Sequence, residues 1–409
     1  MADSEDQESR ERALMTANPS ETAPIDPLLL ESVKRVAHDQ GKGFYAHPFE
    51  LAVQQDSLAE WLTPIWTQLS AGDYVPRVAS TFDVPKPHWH IRPALLLSLE
   101  DCTVYSWIAL KLRPFISPLL DKSAGIVRFS HIGVGKGHAW FQPPFLGWNS
   151  FRERSLELCQ EYPYVLITDI AGYFENIEIG RLILDLQSLG APKEVVSALS
   201  KCLNKWADPR RRGIPQGFSP SDLLAELYLD AIDKHLQADG IVHVRYMDDI
   251  RIFSPNEWDA RRALHRLTAL LRDRGLNLQT AKSKIVDSGD ASKTFNGLVE
   301  VIHDIGDKLV QEAIAAVPDV EYLDWGEVRE FLEGLEGNPS SPPIEVVKAA
   351  WAQFVNGSLG PFDKSVFHFL LNRLANTKQH DAVPYVLTVF SIDLKRRRRA
   401  LAIWLICFR

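Results

Sequence analysis

Two aspartates stand side by side between two short apolar runs in HVRYMDDIRIF, residues 243–253. His243–Tyr246 and Ile250–Phe253 are rich in β-branched and aromatic residues with partial alternation, so each is expected to form a strand. Strands this close together in sequence read as a hairpin. Asp248 and Asp249 then fall in the turn, where aspartate is favoured for ordinary backbone reasons. Adjacent carboxylates also repel, and a hard divalent cation is the usual relief of that repulsion. The hairpin by itself leaves both readings open, and the rest of the chain has to choose.

With 409 residues, 45% of them hydrophobic, the chain has material for two or three domains with real cores. Its four cysteines (Cys102, Cys159, Cys202 and Cys407) are scattered without any CxxC spacing. That argues against a disulfide framework or a zinc knuckle and for a reducing cytosol. Residues 1–26 are polar and acidic, the composition of a disordered leader rather than of a signal peptide. The apolar runs are too short to span a bilayer, so a cytoplasmic protein with no membrane partner is expected. A net charge of −8 argues against nucleic-acid binding by a generally basic coat, while leaving room for a local basic channel. Basic residues do cluster, in PRRRG (209–213) and KRRRR (395–399), although such runs are usually solvated faces.

Residues 27–75 have helical spacing, as in SLAEWLTPIWTQLS, and a loop-rich stretch carrying VPKPHWHIRP (84–93) and HIGVGKGHAW (131–140) follows. YVLITDI (164–170) reads as a buried strand. Helices are expected near 177–188, 191–206, 219–237 and 256–274. Beyond 306 only helix-length segments remain, separated by breaks such as EGNPSSPP and NGSLGPF. The expected fold class is therefore α+β followed by an all-α region. The expected divisions are a leader over 1–26, a mixed domain over 27–305 and a helical region over 306–409. The last stretch, RRRRALAIWLICFR, is an apolar helical pattern without a cap; docking onto preceding helices and a shortened reading frame both fit it.

Five further patterns accompany the hairpin. LITDIAGYFENI ends a strand on Asp169 and places Phe174 five residues later; GIPQGFSPSDLLAELYL puts Pro215, Gln216, Gly217 and Ser221 at the mouth of a helix. LNLQTAKSKI carries Lys282, FNGL (295–298) follows, and VPKPHWHIRP offers Lys86 and Arg92 upstream. In this order, over roughly residues 80–300, the set resembles the fingers and palm of a right-hand polymerase of the reverse transcriptase family, with the helical tail in the position of a thumb or helical repeats.

The resemblance implies an RNA-directed DNA polymerase that uses two Mg²⁺ ions, with Mn²⁺ as a substitute. One ion activates the primer hydroxyl and the other holds the triphosphate and leaving group. It implies Asp169 and Asp248 as ligands bridging the metals, Ile170 as a carbonyl ligand and Asp249 as an auxiliary carboxylate. Phe174 becomes the ring that excludes a ribose 2′-hydroxyl. Lys86 and Arg92 become the cations for the triphosphate, as point charge and fork respectively. Gln216 and Gly217 pack against the nucleotide and template base, and Lys282 donates a proton to pyrophosphate, a role Lys284 would serve nearly as well. FNGL resembles a primer-grip turn.

Substrates and partners implied are dNTPs, an RNA template and a DNA product. Retron signatures, a cysteine-paired endonuclease tail and an RNase H sheet are missing, and the layout resembles the abortive-infection and "unknown group" bacterial enzymes of phage defence. For those, a noncoding RNA or an accessory defence protein joins the partners. Met247 stands where alanine is common, and Gln279 where asparagine is. Two alternatives stay open: untemplated or protein-primed DNA synthesis by the same site, and an inactive polymerase fold serving as an RNA-binding scaffold.

Overall fold

The computed structural model describes residues 24–39, 48–85, 91–134, 137–207, 212–295 and 344–355. Contacts divide the chain into two units, Met1–Gly289 and Asp290–Arg409. Most of the expected leader, the expected boundary at 305–306, Cys407 and the 395–399 basic run lie outside the described residues. In the second unit, helix α11 (Ile344–Val355) buries Val347, Ala350 and Trp351.

The first unit opens with α1 (Pro27–Asp39), α2 (Pro48–Asp56) and α3 (Leu58–Ala71). Asp26 caps α1 by accepting from the Leu28 amide at 2.9 Å, and its other oxygen takes Trp107 Nε1 at 3.1 Å and Lys111 Nζ at 2.6 Å. Next come β1 (Ser80–Pro85) and β2 (Ile91–Leu96), an antiparallel pair with Val84 opposite Arg92. This corrects the loop-rich reading at 84–85 and 91–93; residues 86–90 lie outside the described residues. Pro85 and Pro93 look like breakers, but a two-stranded ribbon has free edges where proline's missing N–H costs nothing.

Helix α4 (Leu99–Leu120) starts on Ser98, whose hydroxyl accepts from the Asp101 amide at 3.1 Å. Its first half is buried almost all round, from Asp101 through Leu110 without a break, so no 3.6-residue stripe announces it. Helices α5 (Pro144–Glu161), α6 (Tyr173–Asn176), α7 (Ile179–Ser188), α8 (Lys193–Trp206), α9 (Ser219–Ala238) and α10 (Glu257–Asp273) surround the central sheet.

That sheet is antiparallel throughout, in the order β4 (Val242–Tyr246), β5 (Asp249–Ser254), β3 (Tyr164–Asp169) and β6 (Lys284–Asp287). Its register pairs Asp169 with Asp249 and Tyr246 with Asp249. The hairpin loop is therefore Met247–Asp248, and Asp249 is the first strand residue rather than part of the turn. Directly opposed residues share a face of the sheet. Asp169, Asp249 and Tyr246 thus share one face, on which α5 sets Trp148 against Tyr246 and Phe151 under the Arg251 guanidinium. Arg245, one residue along, points the other way, into α9.

Candidate active site

β3 stops at Asp169 because the chain beyond it is held from two sides. The Ile170 amide donates to the Asp248 carbonyl at 3.2 Å, and the Ala171 amide donates to Asn277 at 2.8 Å. The Gln279 amide returns a bond to the Asp169 carbonyl at 2.7 Å. Three distant segments (169–171, the hairpin tip and 277–279) are thereby fixed within a hydrogen bond of one another. Gly172 then turns the chain with φ 55°, a conformation that favours glycine. The short helix α6 presents Tyr173 and Phe174 to the core. Tyr173 donates its hydroxyl to the Ala225 carbonyl, and the Phe174 carbonyl accepts from the Ile214 amide at 2.9 Å. That last bond docks the PQG segment beside Phe174.

Between these segments opens a cleft of about 110 Å³ whose lining includes Asp169, Ile170, Phe174, Gln216, Asp248 and Lys282. Six of the ten residues singled out from the sequence thus meet in one place. Asp249 is set behind them, paired across the strands with Asp169. Gly217 follows Gln216 with φ 91°. Arg92 is placed by its backbone alone on β2, and Lys86 lies outside the described residues. Lys282 sits on a single 3₁₀ turn (Thr280–Lys282) and bonds the Asp169 carboxylate. Lys284 is an exposed residue of β6. Of FNGL only Phe295 is described, as a buried side chain.

The electrostatics are those of crowded like charges. Burial, and next the nearby Asp169, push the Asp248 carboxyl up to about 6. Burial also raises Asp249, although the Arg251 guanidinium partly offsets it. Partial burial works against the Lys282 ammonium, but its bond to Asp169 outweighs that and leaves its pKa raised. A divalent cation would relieve the repulsion between Asp169 and Asp248. Among the described residues no group of three His, Cys, Asp or Glu side chains is gathered closely enough to hold an ion alone. The donor set nevertheless fits Mg²⁺, which is held by one or two carboxylates and completes its octahedron with water and substrate phosphates.

The sequence reasoning passed over Gln279 and Glu175 as cleft residues. It also passed over a set behind the hairpin: the buried Ser130, Glu226, Asp233, His243 and Arg245, with the half-buried His131. Its one available signal was charge inside otherwise apolar elements, Glu226 in LLAELYL and Arg245 in HVRYM.

No helix among the described residues is long and apolar enough to cross a membrane. No curated protein matches the chain. Among solved structures, the chain is similar to a Candida albicans telomerase in complex with a fragment of telomeric RNA, at 13% identity and TM-score 0.42, over 81% of this chain and 64% of that one. It is similar to apo telomerase from Candida tropicalis at 12% identity and TM-score 0.37, covering 56% and 49% respectively. A partial Cas6-RT-Cas1–Cas2 complex matches at 20% identity and TM-score 0.36, covering 62% and 42%. The chain thus spans less than two thirds of each of these proteins. The sequence profile described as "Reverse transcriptase (RNA-dependent DNA polymerase)" matches residues 84–323, more than half of the chain and the whole of the cleft. The chain belongs to the reverse transcriptase family.

Proposed function

We propose that the cleft carries out two-metal nucleotidyl transfer, adding deoxynucleotides to a primer on an RNA template. The observation that carries this reading is the convergence of Asp169 and Asp248, from elements almost eighty residues apart, on one cleft where Asp169 adds to the cost of ionising Asp248. Bound Mg²⁺ would lower the pKa of the primer hydroxyl and neutralise charge on the triphosphate. The chain's own residues supply the rest. Asp169, Asp248 and the Ile170 carbonyl hold the ions, with Asp249 as the auxiliary carboxylate behind them. Phe174, 8% exposed and in tilted ring contact with Tyr173 at 5.4 Å, has little freedom to retreat from a 2′-hydroxyl. Gln216, which also lines the cleft, would contact the nucleotide, and Lys282, bonded to Asp169, is the proposed proton donor to pyrophosphate. Lys86 and Arg92 are the proposed triphosphate cations.

The order of the motifs and their helical continuation also support a bacterial enzyme of phage defence, acting in the cytoplasm with an RNA partner. Both levels have a direct test. Asp248→Asn should abolish radiolabelled dNTP incorporation on an RNA template while circular dichroism stays unchanged. Full activity in a folded variant would overturn the site. Phe174→Val should raise the kcat/KM ratio of ribo- to deoxynucleotides, since discrimination is a difference in transition-state binding. Cells expressing the wild type, but not Asp248→Asn, should plate fewer phage. Equal plating would remove the defence role and leave the chemistry standing.

A further inference from the structure

Only two non-glycine residues among those described have a left-handed backbone: Met247, at φ 58°, and His131, at φ 46°. They lie 116 residues apart in sequence and meet at one side chain. The Met247 amide donates to Ser130 Oγ at 2.8 Å, and the hydroxyl of Ser130, the residue before His131, donates a hydrogen bond to Glu226 Oε1. His131 Nδ1 lies 3.0 Å from the same Glu226 oxygen. The second Glu226 oxygen is held by Arg245, two residues before Met247.

The backbone around this point is pinned as well. Segment 127–129 runs along β4, with the Arg245 amide donating to Val127 at 2.7 Å and the Phe129 amide donating to Arg245 at 3.0 Å. The Arg128 guanidinium binds the carbonyls of Ser130, at 2.6 Å, and His131, at 3.1 Å. On the other side, α5 comes so close that a Cβ on Gly147 would lie 2.2 Å from the Phe129 carbonyl. Left-handed residues other than glycine persist where the surroundings over-determine them, and they gather at working sites. Here both of them border a hairpin whose loop is Met247–Asp248.

We infer that Ser130 and Glu226 form a clamp that positions the hairpin tip, so that Asp248 is presented to the metals in one orientation. Neither residue lines the cleft; both are positioning residues. The first position of a two-residue hairpin loop with positive φ at that position alone is one where glycine is favoured. A methionine there takes up this conformation only under restraint, and the Ser130 hydroxyl supplies it. It accepts from the turn and donates to a carboxylate that Arg245 holds ionised. The inference rests on the reading of Asp248 as a metal ligand.

The test has three arms on the full-length protein. Ser130→Ala should lower kcat about tenfold, the scale on which sub-ångström misplacement acts, with KM for dNTP within about twofold of wild type. It should also raise the Mg²⁺ concentration needed for half-maximal rate. Adding Met247→Gly should restore a good part of the loss, because glycine adopts the turn without a restraint. Rates are compared at a temperature where urea unfolding shows every variant fully folded, so that a general gain in stability from glycine at a positive φ does not count as recovery. Unchanged kcat and Mg²⁺ requirement in Ser130→Ala, or no recovery in the double variant, would overturn the clamp.

The third arm needs no variant. The Met247 amide of the wild type should be strongly protected in residue-resolved hydrogen exchange, and exchange at the rate of an open turn would overturn the clamp even if Ser130→Ala did not fold. Asp248→Asn separates the two ideas. Retained activity there removes the metal reading, while amide protection continues to report on the clamp alone.

Discussion

Asp248 and Glu226 are both carboxylates withdrawn from water, and they stand on either side of the same hairpin. Around Glu226, the Arg245 guanidinium and the His131 ring more than offset the cost of burial, and its carboxyl is held far below the ordinary range. Asp233 is treated likewise, with Arg245 Nε at 2.8 Å and His243 Nε2 at 3.2 Å. Around Asp248 the strongest charge influence is another carboxylate, and a backbone hydrogen bond and Lys282 fall short of offsetting burial. Partners decide it, because the more deeply buried carboxylate, Glu226, is the one held low, while the half-buried Asp248 is raised. The rear cluster is completed by the chain itself, whereas the front cluster is left short of positive charge, with Lys282 as a partial and exposed counter-ion. A site that must accept cations cannot already be neutral.

The comparison is most easily broken from the rear. Arg245→Met should strand Glu226 and Asp233 without their shared cation and destabilise the fold by about 3–5 kcal/mol, read in urea unfolding. A loss below about 1 kcal/mol would mean that the rear cluster is not paired in solution. The front should behave in the opposite sense. In metal-free protein, Asp248→Asn removes a carboxylate that folding penalises, so stability at pH 8 should hold or rise, by about 1–3 kcal/mol for a shift of this size. A fall in stability would show that the charge at 248 is compensated by something other than a metal.

Titration should separate the two sides by sign. Asp248 and Asp222 are pushed up to about 6 by burial, so the folded state takes up their protons before the unfolded one does. Metal-free stability should therefore increase as pH falls through about 6 towards 4. Glu226 and Asp233 have lowered values. Their contribution is present above the unfolded value near 4 and is lost as pH falls through their folded values, which lie below it. The metal-free protein should then be most stable between about pH 4 and 6. Added Mg²⁺ needs Asp248 ionised, so the rise in Tm that it produces should shrink as pH drops through about 6. Asp222 contributes equally with and without metal, and the difference between the two curves isolates the cleft.

The front cluster was far more legible in the sequence than the rear one, for a physical reason. Asp169, Phe174, Gln216 and Asp248 each sit where a strand or helix begins or ends, and such places leave short local signatures: an apolar run closing on a carboxylate, a PQG before a helix, a pair of acids between strands. Ser130 and Glu226 carry no such mark. Their partners lie 96 and 117 residues away in sequence for Ser130, and nothing local predicts a contact of that range. Elements were lost in the same way. The first half of helix α4 is buried on every side, which erases the amphipathic period there, and Pro114 and Pro118 in its second half look like stops. The β1–β2 ribbon hides behind its prolines. Placing Asp249 in the turn was an error of one residue, decided by the pairing of Tyr246 with Asp249, which periodicity cannot resolve.

The smallest effect is expected at the front cluster's own counter-ion. Lys282 bonds Asp169 in the structure, but its side chain is 64% exposed, and solvent screens a pair of this kind. Lys282→Met should therefore change metal-free stability by less than about 1 kcal/mol, in contrast to the several expected for Arg245→Met. A proton donor to a leaving group contributes about 10²–10⁴ in rate, so kcat should fall much further than stability if Lys282 protonates pyrophosphate. Its loss should also flatten the alkaline limb of the pH–rate profile. A large stability loss with little change in kcat would reverse the contrast. Lys282 would then be the front cluster's equivalent of Arg245, a structural counter-ion, and Lys284 would become the next candidate for the proton.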